Sequence, residues 1–327
     1  MTRLAIIGGG AWGTALAQVA AASGDEVLLC ARSPEVVNAI NSANENPLYL
    51  PGQKLSPAIR ASTDLSELIN CEAWLVVTPA QHMRSVLELA PSEGKPLILC
   101  AKGIEERSGQ LMHDVARQAC PGSPILVLSG PTFAHEVAAG LPTAVTLACD
   151  HQSLGETLRR RLGVQAFRIY LSDDVAGAEI GGAVKNVLAI ACGVVEGKGL
   201  GQNARSALIA RGFAEMTRFG LARGARRETL AGLSGLGDLV LTCSSTNSRN
   251  FSLGKGIGEG RSATELMADR RTVAEGAFTA PVLARLAVQE GIEMPIVAAV
   301  AALLEGRITA AEALEQLLSR PPRSESR

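Results

Sequence analysis

The sequence predicts an α/β fold followed by an all-helical domain, and three observations carry that reading. The apolar run Leu4-Ala5-Ile6-Ile7 has strand length, meets a glycine cluster, and gives way to an alanine-rich helical pattern. Strand-like and helix-like runs then alternate as far as Leu171. After Asp173 the strand-like runs stop, and long alanine-rich segments with helical periodicity take over. Alternation of the first kind builds a Rossmann-type doubly wound sheet with helices on both faces. A chain of 327 residues is long enough for two domains, each with its own core. We expect the boundary between Ser172 and Gly182. The expected division is a dinucleotide-binding Rossmann domain, residues 1–178, and an all-helical substrate and catalytic domain, residues 179–327.

The glycine cluster is the most informative stretch. Gly8, Gly10 and Gly13 have the G-x-G-x-x-G spacing. Gly8 allows a tight turn out of the strand, Gly10 lets the backbone approach a pyrophosphate, and Gly13 lets the helix lie close to the sheet. The N–H groups and positive dipole end of that helix then face the phosphates. The position between a strand-like and a helix-like run is the context such a site requires. Arg3, the apolar stretch and Ala20-Ala21-Ala22-Ser23-Gly24 imitate a secretory signal peptide. Three consecutive glycines would break its apolar helix, and the alternation runs straight through the supposed cleavage site.

The elements follow in order. The first helix ends near Ser23-Gly24, and Glu26 to Cys30 is the second strand. An acidic residue near the end of this strand would bind a ribose 2′-hydroxyl, but the segment reads Val27-Leu28-Leu29-Cys30-Ala31-Arg32. Arg32 stands where a cation meets a 2′-phosphate, so NADP(H) is favoured, with use of NAD(H) left open. Pro34 to Asn44 is helical. Asn46 to Pro57, rich in turn residues and containing Tyr49, reads as a loop near the cofactor. Ile59 to Ala61 is a short strand, and Trp74 to Val77 a buried one ended by Thr78-Pro79-Ala80. Leu97 to Cys100 is the next, with Lys102 just beyond its end. Ile125 to Leu128 precedes the small-residue turn Ser129-Gly130-Pro131-Thr132-Phe133-Ala134. Ligands gather at the carboxyl ends of such strands, which puts all three turns on the ligand side. Thr143 to Ala148 and Phe167 to Leu171, joined by a basic helix within Asp150 to Leu162, extend the sheet.

In the second domain glycines interrupt the helical pattern at Gly232 to Asp238 and at Gly254 to Gly260. Later helices are expected at Ala263 to Ala268, Glu275 to Gln289, Pro295 to Leu304 and Ala310 to Leu318. The polar tail, 320–327, carries two prolines and is expected to be disordered.

A net charge of −1 leaves no electrostatic footprint for nucleic acid or an anionic membrane. An anionic ligand must therefore be held by local charges. The seven cysteines are scattered, form no C-x-x-C pair, and several sit inside apolar runs, which suits a reducing cytoplasm. The longest uncharged apolar run, Met294 to Leu304, is too short to span a bilayer. His82, His113, His135 and His151 have no ligand spacing, and no metal is expected.

Three segments of the second domain carry chemistry. In Glu179 to Ile190, Lys185 and Asn186 are polar residues within an apolar helix. A buried lysine is costly unless paired, and burial moves its pKa toward the range of acid–base work. Asp238, on the turn Ser234-Gly235-Leu236-Gly237, is placed to bind a hydroxyl or the lysine. In Thr242 to Phe251, hydroxyl and amide side chains surround Arg249 just before a helical pattern, the ingredients of a phosphate site.

The fingerprint Gly8 to Ala17, Lys102-Gly103-Ile104-Glu105, Leu128 to Ala134, Gly182-Ala183-Val184-Lys185-Asn186, Gly235 to Leu239 and Ser248-Arg249-Asn250 together resemble the bacterial NAD(P)-dependent sn-glycerol-3-phosphate dehydrogenases. The resemblance runs from about residue 3 to residue 318 in the family's order. It implies reversible reduction of dihydroxyacetone phosphate to sn-glycerol 3-phosphate, a phospholipid precursor, with Lys185 as the acid–base group. It further implies that Lys102, Gly130, Thr132, Lys185, Asn186, Asp238, Ser248, Arg249 and Asn250 contact substrate. Gly8, Gly10, Ala11, Trp12, Gly13, Arg32, Lys102, Ala134, Arg249, Val273 and Glu275 would contact the cofactor. A homodimer is compatible with this reading but not dictated by it. On the residues alone two alternatives stay open: a two-domain dehydrogenase of hydroxy or keto acids, and a non-catalytic NADP-binding redox sensor. The sensor would need the glycine turn but not Lys185, Asp238 and Arg249 together.

Overall fold

The computed structural model describes residues 3–268 and 274–321. Val273 and residues 322–327 of the tail lie outside the described residues. The first half reads β1 (Arg3–Ile7), α1 (Ala11–Ala22), β2 (Glu26–Cys30), α2 (Pro34–Ala43), β3 (Glu45–Asn46), β4 (Leu50–Lys54) and β5 (Ile59–Ser62). It continues with β6 (Ala73–Val76), α3 (Ala80–Leu89), β7 (Leu97–Leu99), α4 (Met112–Ala119), β8 (Ile125–Ser129), α5 (Ala134–Ala138), β9 (Thr143–Cys149), α6 (Gln152–Leu162) and β10 (Phe167–Ser172).

Eight strands form one sheet in the order β10-β9-β8-β7-β6-β1-β2-β5. The middle strands β6 and β8 are buried along their whole length, because helices cover both faces of the sheet. Their near-continuous apolar runs are what such strands require. The order reverses between β1 and its neighbours β2 and β6, so a crevice opens at the carboxyl end of β1. The expected sheet extension is present with one difference of direction. β9 runs antiparallel to β8, with Leu128 opposite Leu147, while β10 returns parallel to β9 through α6.

The stretch expected as a loop at Asn46 to Pro57 is instead largely a hairpin of β3 and β4. Two polar residues of this stretch bind the glycine turn and α1. Asn46 is fully buried and donates to Gly9 O at 3.0 Å and to Thr14 Oγ1 at 2.8 Å, and Ser56 N donates to Gln18 Oε1 at 2.9 Å.

The second half is helical: α7 (Val175–Gly197), α8 (Gly201–Ala222), α9 (Arg227–Ala231), a π turn over Leu233–Gly237, α10 (Asp238–Cys243), α11 (Arg249–Gly258), α12 (Ala263–Leu266), α13 (Glu275–Gln289), α14 (Pro295–Leu304) and α15 (Ala310–Leu318). α7 is the axis around which α8, α10, α11, α13 and α14 pack. By length and mean hydropathy, 1.5, it is the one described helix able to cross a membrane, but 89% of its apolar window is buried inside this fold. The interruption expected at Gly254 to Gly260 does not occur, since α11 continues through Gly258. Those glycines serve close approach. A Cβ on Gly254 would lie 2.0 Å from Ile190 O of α7, and one on Gly193 would lie 2.0 Å from Phe251 O of α11.

Two buried glutamates fasten the helical half. Glu179 of α7 meets His113 Nδ1 of α4 at 2.7 Å, linking the two halves of the chain. Glu215 of α8 accepts from Ile296 N at 2.8 Å and Val297 N at 3.2 Å, capping α14, which has no side-chain cap of its own.

Candidate active site

The dinucleotide cradle is built by the β1–α1 turn. Gly8 has φ +125°, a conformation side chains resist. A Cβ on Gly13 would sit 1.8 Å from Gly8 O, so only glycine lets α1 start this close to the strand. Above Gly10 there is open space, and no side chain caps the helix that begins at Ala11. Its first N–H groups and its positive end are thus left for an anion. Two buried polar atoms nearby have no partner among the described residues, Trp12 Nε1 in the first turn of α1 and Thr78 Oγ1 just after β6. An orphaned indole N–H is costly without a ligand, and a dinucleotide would supply the acceptor. Arg32 is exposed beyond β2 and has no ion pair among the described residues. Ala134 opens α5, which packs on α1. The cradle therefore fits a phosphate-bearing dinucleotide.

A second cluster forms where the loop after β7, α7 and α10 converge. Lys185 projects from the buried middle of α7 because its neighbours Val184, Val187, Leu188 and Ala189 occupy the core. Its Nζ donates to Asp238 Oδ1 at 2.5 Å and to Thr242 Oγ1 at 2.9 Å. Asp238, fully buried at the start of α10, shares a helix face with Thr242 four residues on. Its other oxygen, Oδ2, accepts from Lys102 Nζ at 2.6 Å, and Lys102 also donates to Gly130 O at 3.1 Å. One carboxylate thus bridges two ammonium groups. Burial pushes Lys185 down to about 8; the Asp238 charge opposes that shift and the Lys102 charge reinforces it. A lysine so placed exchanges a proton near neutral pH while remaining oriented.

The remaining residues expected at the site surround this pair. Asn186 donates to Lys102 O at 3.3 Å, Asn250 donates to Asn186 Oδ1 at 3.0 Å, and Gly276 N donates to Asn250 Oδ1 at 2.9 Å. This chain of amides ties the Lys102 loop to α7, α11 and α13. Ser248 caps α11 by accepting from Phe251 N at 3.2 Å, and Arg249 is the exposed first residue of that helix. The N–H groups of Arg249 and Asn250 have no acceptor among the described residues. Thr132 donates to Gly130 O at 3.3 Å. Glu275 opens α13 and accepts from Ala80 N at 3.2 Å. Burial raises its carboxyl pKa, with Arg249 opposing. Arg32 follows β2 and Lys102 follows β7, and β1 and β6 lie between those strands in the sheet. Three residues were not singled out from sequence: Thr242, which grips Lys185, and Ser129 and Ser234, whose buried hydroxyls have no partner among the described residues. Only Thr242 carried a readable signal, its spacing of one helical turn from Asp238.

The model described as NAD-dependent glycerol-3-phosphate dehydrogenase N-terminus matches residues 3–155, and the one described as its C-terminus matches residues 174–315. The chain belongs to the NAD-dependent glycerol-3-phosphate dehydrogenase family. A relative from Erythrobacter litoralis named glycerol-3-phosphate dehydrogenase, NAD(P)+, is 63% identical over 322 residues, covering 98% of this chain and 97% of its own. One of the same name from Novosphingobium aromaticivorans is 63% identical over 324 residues, with the same coverage of both chains. Among solved structures, the glycerol-3-phosphate dehydrogenase of Coxiella burnetii superposes with a TM-score of 0.93 at 38% identity, covering 98% of this chain and 99% of that one. Members of this family are NAD(P)-dependent oxidoreductases, so the β1–α1 cradle has a nicotinamide dinucleotide to receive.

Proposed function

We propose that this protein is an NAD(P)-dependent dehydrogenase that reversibly reduces dihydroxyacetone phosphate to sn-glycerol 3-phosphate for glycerophospholipid synthesis. The observation that carries the reading is the Lys102–Asp238–Lys185 bridge next to the Arg249 helix terminus, in a chain of this family. In this reading residues 1–178 hold the cofactor through Gly8, Gly10, Ala11, Trp12, Gly13, Arg32, Lys102 and Ala134. Residues 179–327 hold the substrate and contribute Arg249, Val273 and Glu275 to the cofactor.

The nicotinamide, when bound, supplies or accepts the hydride. The protein's own groups do the rest. Protonated Lys185 gives its proton to the ketone oxygen in reduction and takes it back in oxidation. Asp238 aims the ammonium and stabilises its charge, and Thr242 holds it from a second side. Lys102 adds positive charge where the oxygen turns negative. Arg249, with the free N–H groups of Arg249 and Asn250 and the Ser248 cap, grips the phosphate, so that remote binding energy fixes the reacting carbon. Gly130 and Thr132 line the same edge, and Asn186 and Asn250 set its shape through their mutual bond. Arg32 favours NADP(H) over NAD(H).

All seven cysteines are free and buried, which supports work in a reducing cytoplasm. Mixing the purified protein with NADPH and a panel of ketones, while following nicotinamide absorbance, tests the reading. Dihydroxyacetone phosphate should be turned over fastest. A keto acid consumed faster would replace the phosphate with a carboxylate, and no turnover would leave a sensor.

A further inference from the structure

Lys102 has no regular element beneath it. It stands in the irregular stretch between β7 and α4, yet its ammonium reaches an aspartate 136 residues away. What fixes this stretch lies three residues further on. Glu105 is 6% exposed and is held by Arg84 of α3 through a two-pronged contact, Nε to Oε1 at 2.8 Å and Nη2 to Oε2 at 2.9 Å. Ser108 donates to Glu105 Oε2 at 2.5 Å. One turn earlier on α3, Gln81 spans the backbone on both sides of Glu105. Its Nε2 donates to Ile104 O at 2.8 Å, and its Oε1 accepts from Glu106 N at 2.9 Å. Gly103 lies so close to α3 that a Cβ there would come within 2.8 Å of Ala80 Cβ. A partly buried, bidentate guanidinium–carboxylate contact is among the stiffest links available to a loop.

We infer that Gln81, Arg84 and Glu105 are positioning residues that hold Lys102 against Asp238, the carboxylate it shares with Lys185. The inference rests on the proposed roles of Lys102 and Lys185. The causal chain is short. Lys102 lowers the Lys185 pKa by its like charge, and the other titratable groups facing Lys185, Asp238 and Cys243 of α10 and the buried Glu275 of α13, are the same in every variant. A loop freed from α3 lets Lys102 leave Asp238. The whole carboxylate then turns to Lys185, which holds its proton to higher pH.

The test compares Arg84→Met, Gln81→Ala, Lys102→Ala and the double variant Arg84→Met/Lys102→Ala. Lys185 is titrated without ligands by NMR of ε-carbon-labelled lysine, and the pH profile of ketone reduction is recorded beside it. The expected midpoint rises by about one unit in Lys102→Ala. It should rise by a smaller amount in Arg84→Met and Gln81→Ala, and no further in the double variant than in Lys102→Ala. An unchanged midpoint in Lys102→Ala refutes the reading of the lysine pair itself. A shift in Lys102→Ala but none in either clamp variant overturns the positioning role, whatever their melting temperatures. Additive shifts in the double variant also overturn it, since the clamp would then act other than through Lys102. Gln81→Ala, which leaves the Arg84–Glu105 pair intact, keeps the test open if Arg84→Met does not fold.

Discussion

Asp238 Oδ1 lies 2.5 Å from Lys185 Nζ, in a site where neither side chain meets bulk water. A buried ammonium without a carboxylate would lose its proton, and the Asp238 carboxylate opposes that loss in Lys185. The reaction direction then selects the protonation state. With the Lys185 pKa pushed down to about 8, reduction, which needs the ammonium, should lose kcat/KM as pH rises through about 8. Oxidation, which needs the free amine, should gain through the same interval. Lys185→Ala should abolish both limbs and cost roughly 10²–10⁴-fold in turnover while nucleotide affinity is retained. Steady-state profiles in both directions, with fluorescence titration of NADPH, check this. A variant retaining more than about a tenth of wild-type turnover would remove Lys185 from the mechanism.

Arg32 decides between the two nucleotides. Arg32→Ala should weaken NADPH far more than NADH, because only NADPH carries a 2′-phosphate. A charge-assisted contact of this kind is worth about 1.5–3 kcal/mol, or roughly 10- to 150-fold in Kd. Binding isotherms for both nucleotides measure it, and equal losses would assign Arg32 to the fold.

Glu215 should make stability depend on pH. Burial pushes its carboxyl up to about 7; the N–H groups of Ile296 and Val297, then Arg218 and Arg320, oppose the shift. An unfolded glutamate releases its proton near its ordinary value while the native one keeps it. Between about 4.5 and 7 the native state therefore binds more protons, and this group's contribution to stability falls as pH rises. The full span amounts to ~3 kcal/mol. Glu215→Gln, which cannot ionise, should flatten that slope in urea unfolding followed from pH 4.5 to 8. An identical slope in the variant would show that Glu215 titrates alike in both states.

Much of this was legible in the chain because local chemistry announced it. The run from Leu4 through Gly13 to Ala17 carries strand, turn and helix signals within a few residues of one another, and β1 and α1 follow. Lys185 stood out as a charge inside an apolar helix. The rest depends on contacts between distant segments. That Asp238 serves Lys102 as well as Lys185 joins three parts of the chain, and no spacing encodes it. The direction of β9 is not written in its composition, since a buried strand looks alike either way. Turn-rich Asn46 became a buried anchor because two acceptors on the preceding segment awaited its amide. The glycines of α11 spoke of breaks, whereas α7 required them for contact at backbone distance.

The central claim is that this site grips a phosphate and reduces the ketone attached to it, and Arg249 tests it most directly. Arg249→Ala should lower kcat/KM for dihydroxyacetone phosphate by at least roughly 10- to 150-fold. Arg249→Lys should recover only part, because an ammonium keeps the charge but not the planar fork. The slow reduction of dihydroxyacetone, which has no phosphate, should change much less. Phosphite dianion added beside dihydroxyacetone should stimulate the wild type and fail to stimulate the alanine variant. Equal losses for dihydroxyacetone phosphate and dihydroxyacetone in Arg249→Ala would contradict the account and put the phosphate elsewhere.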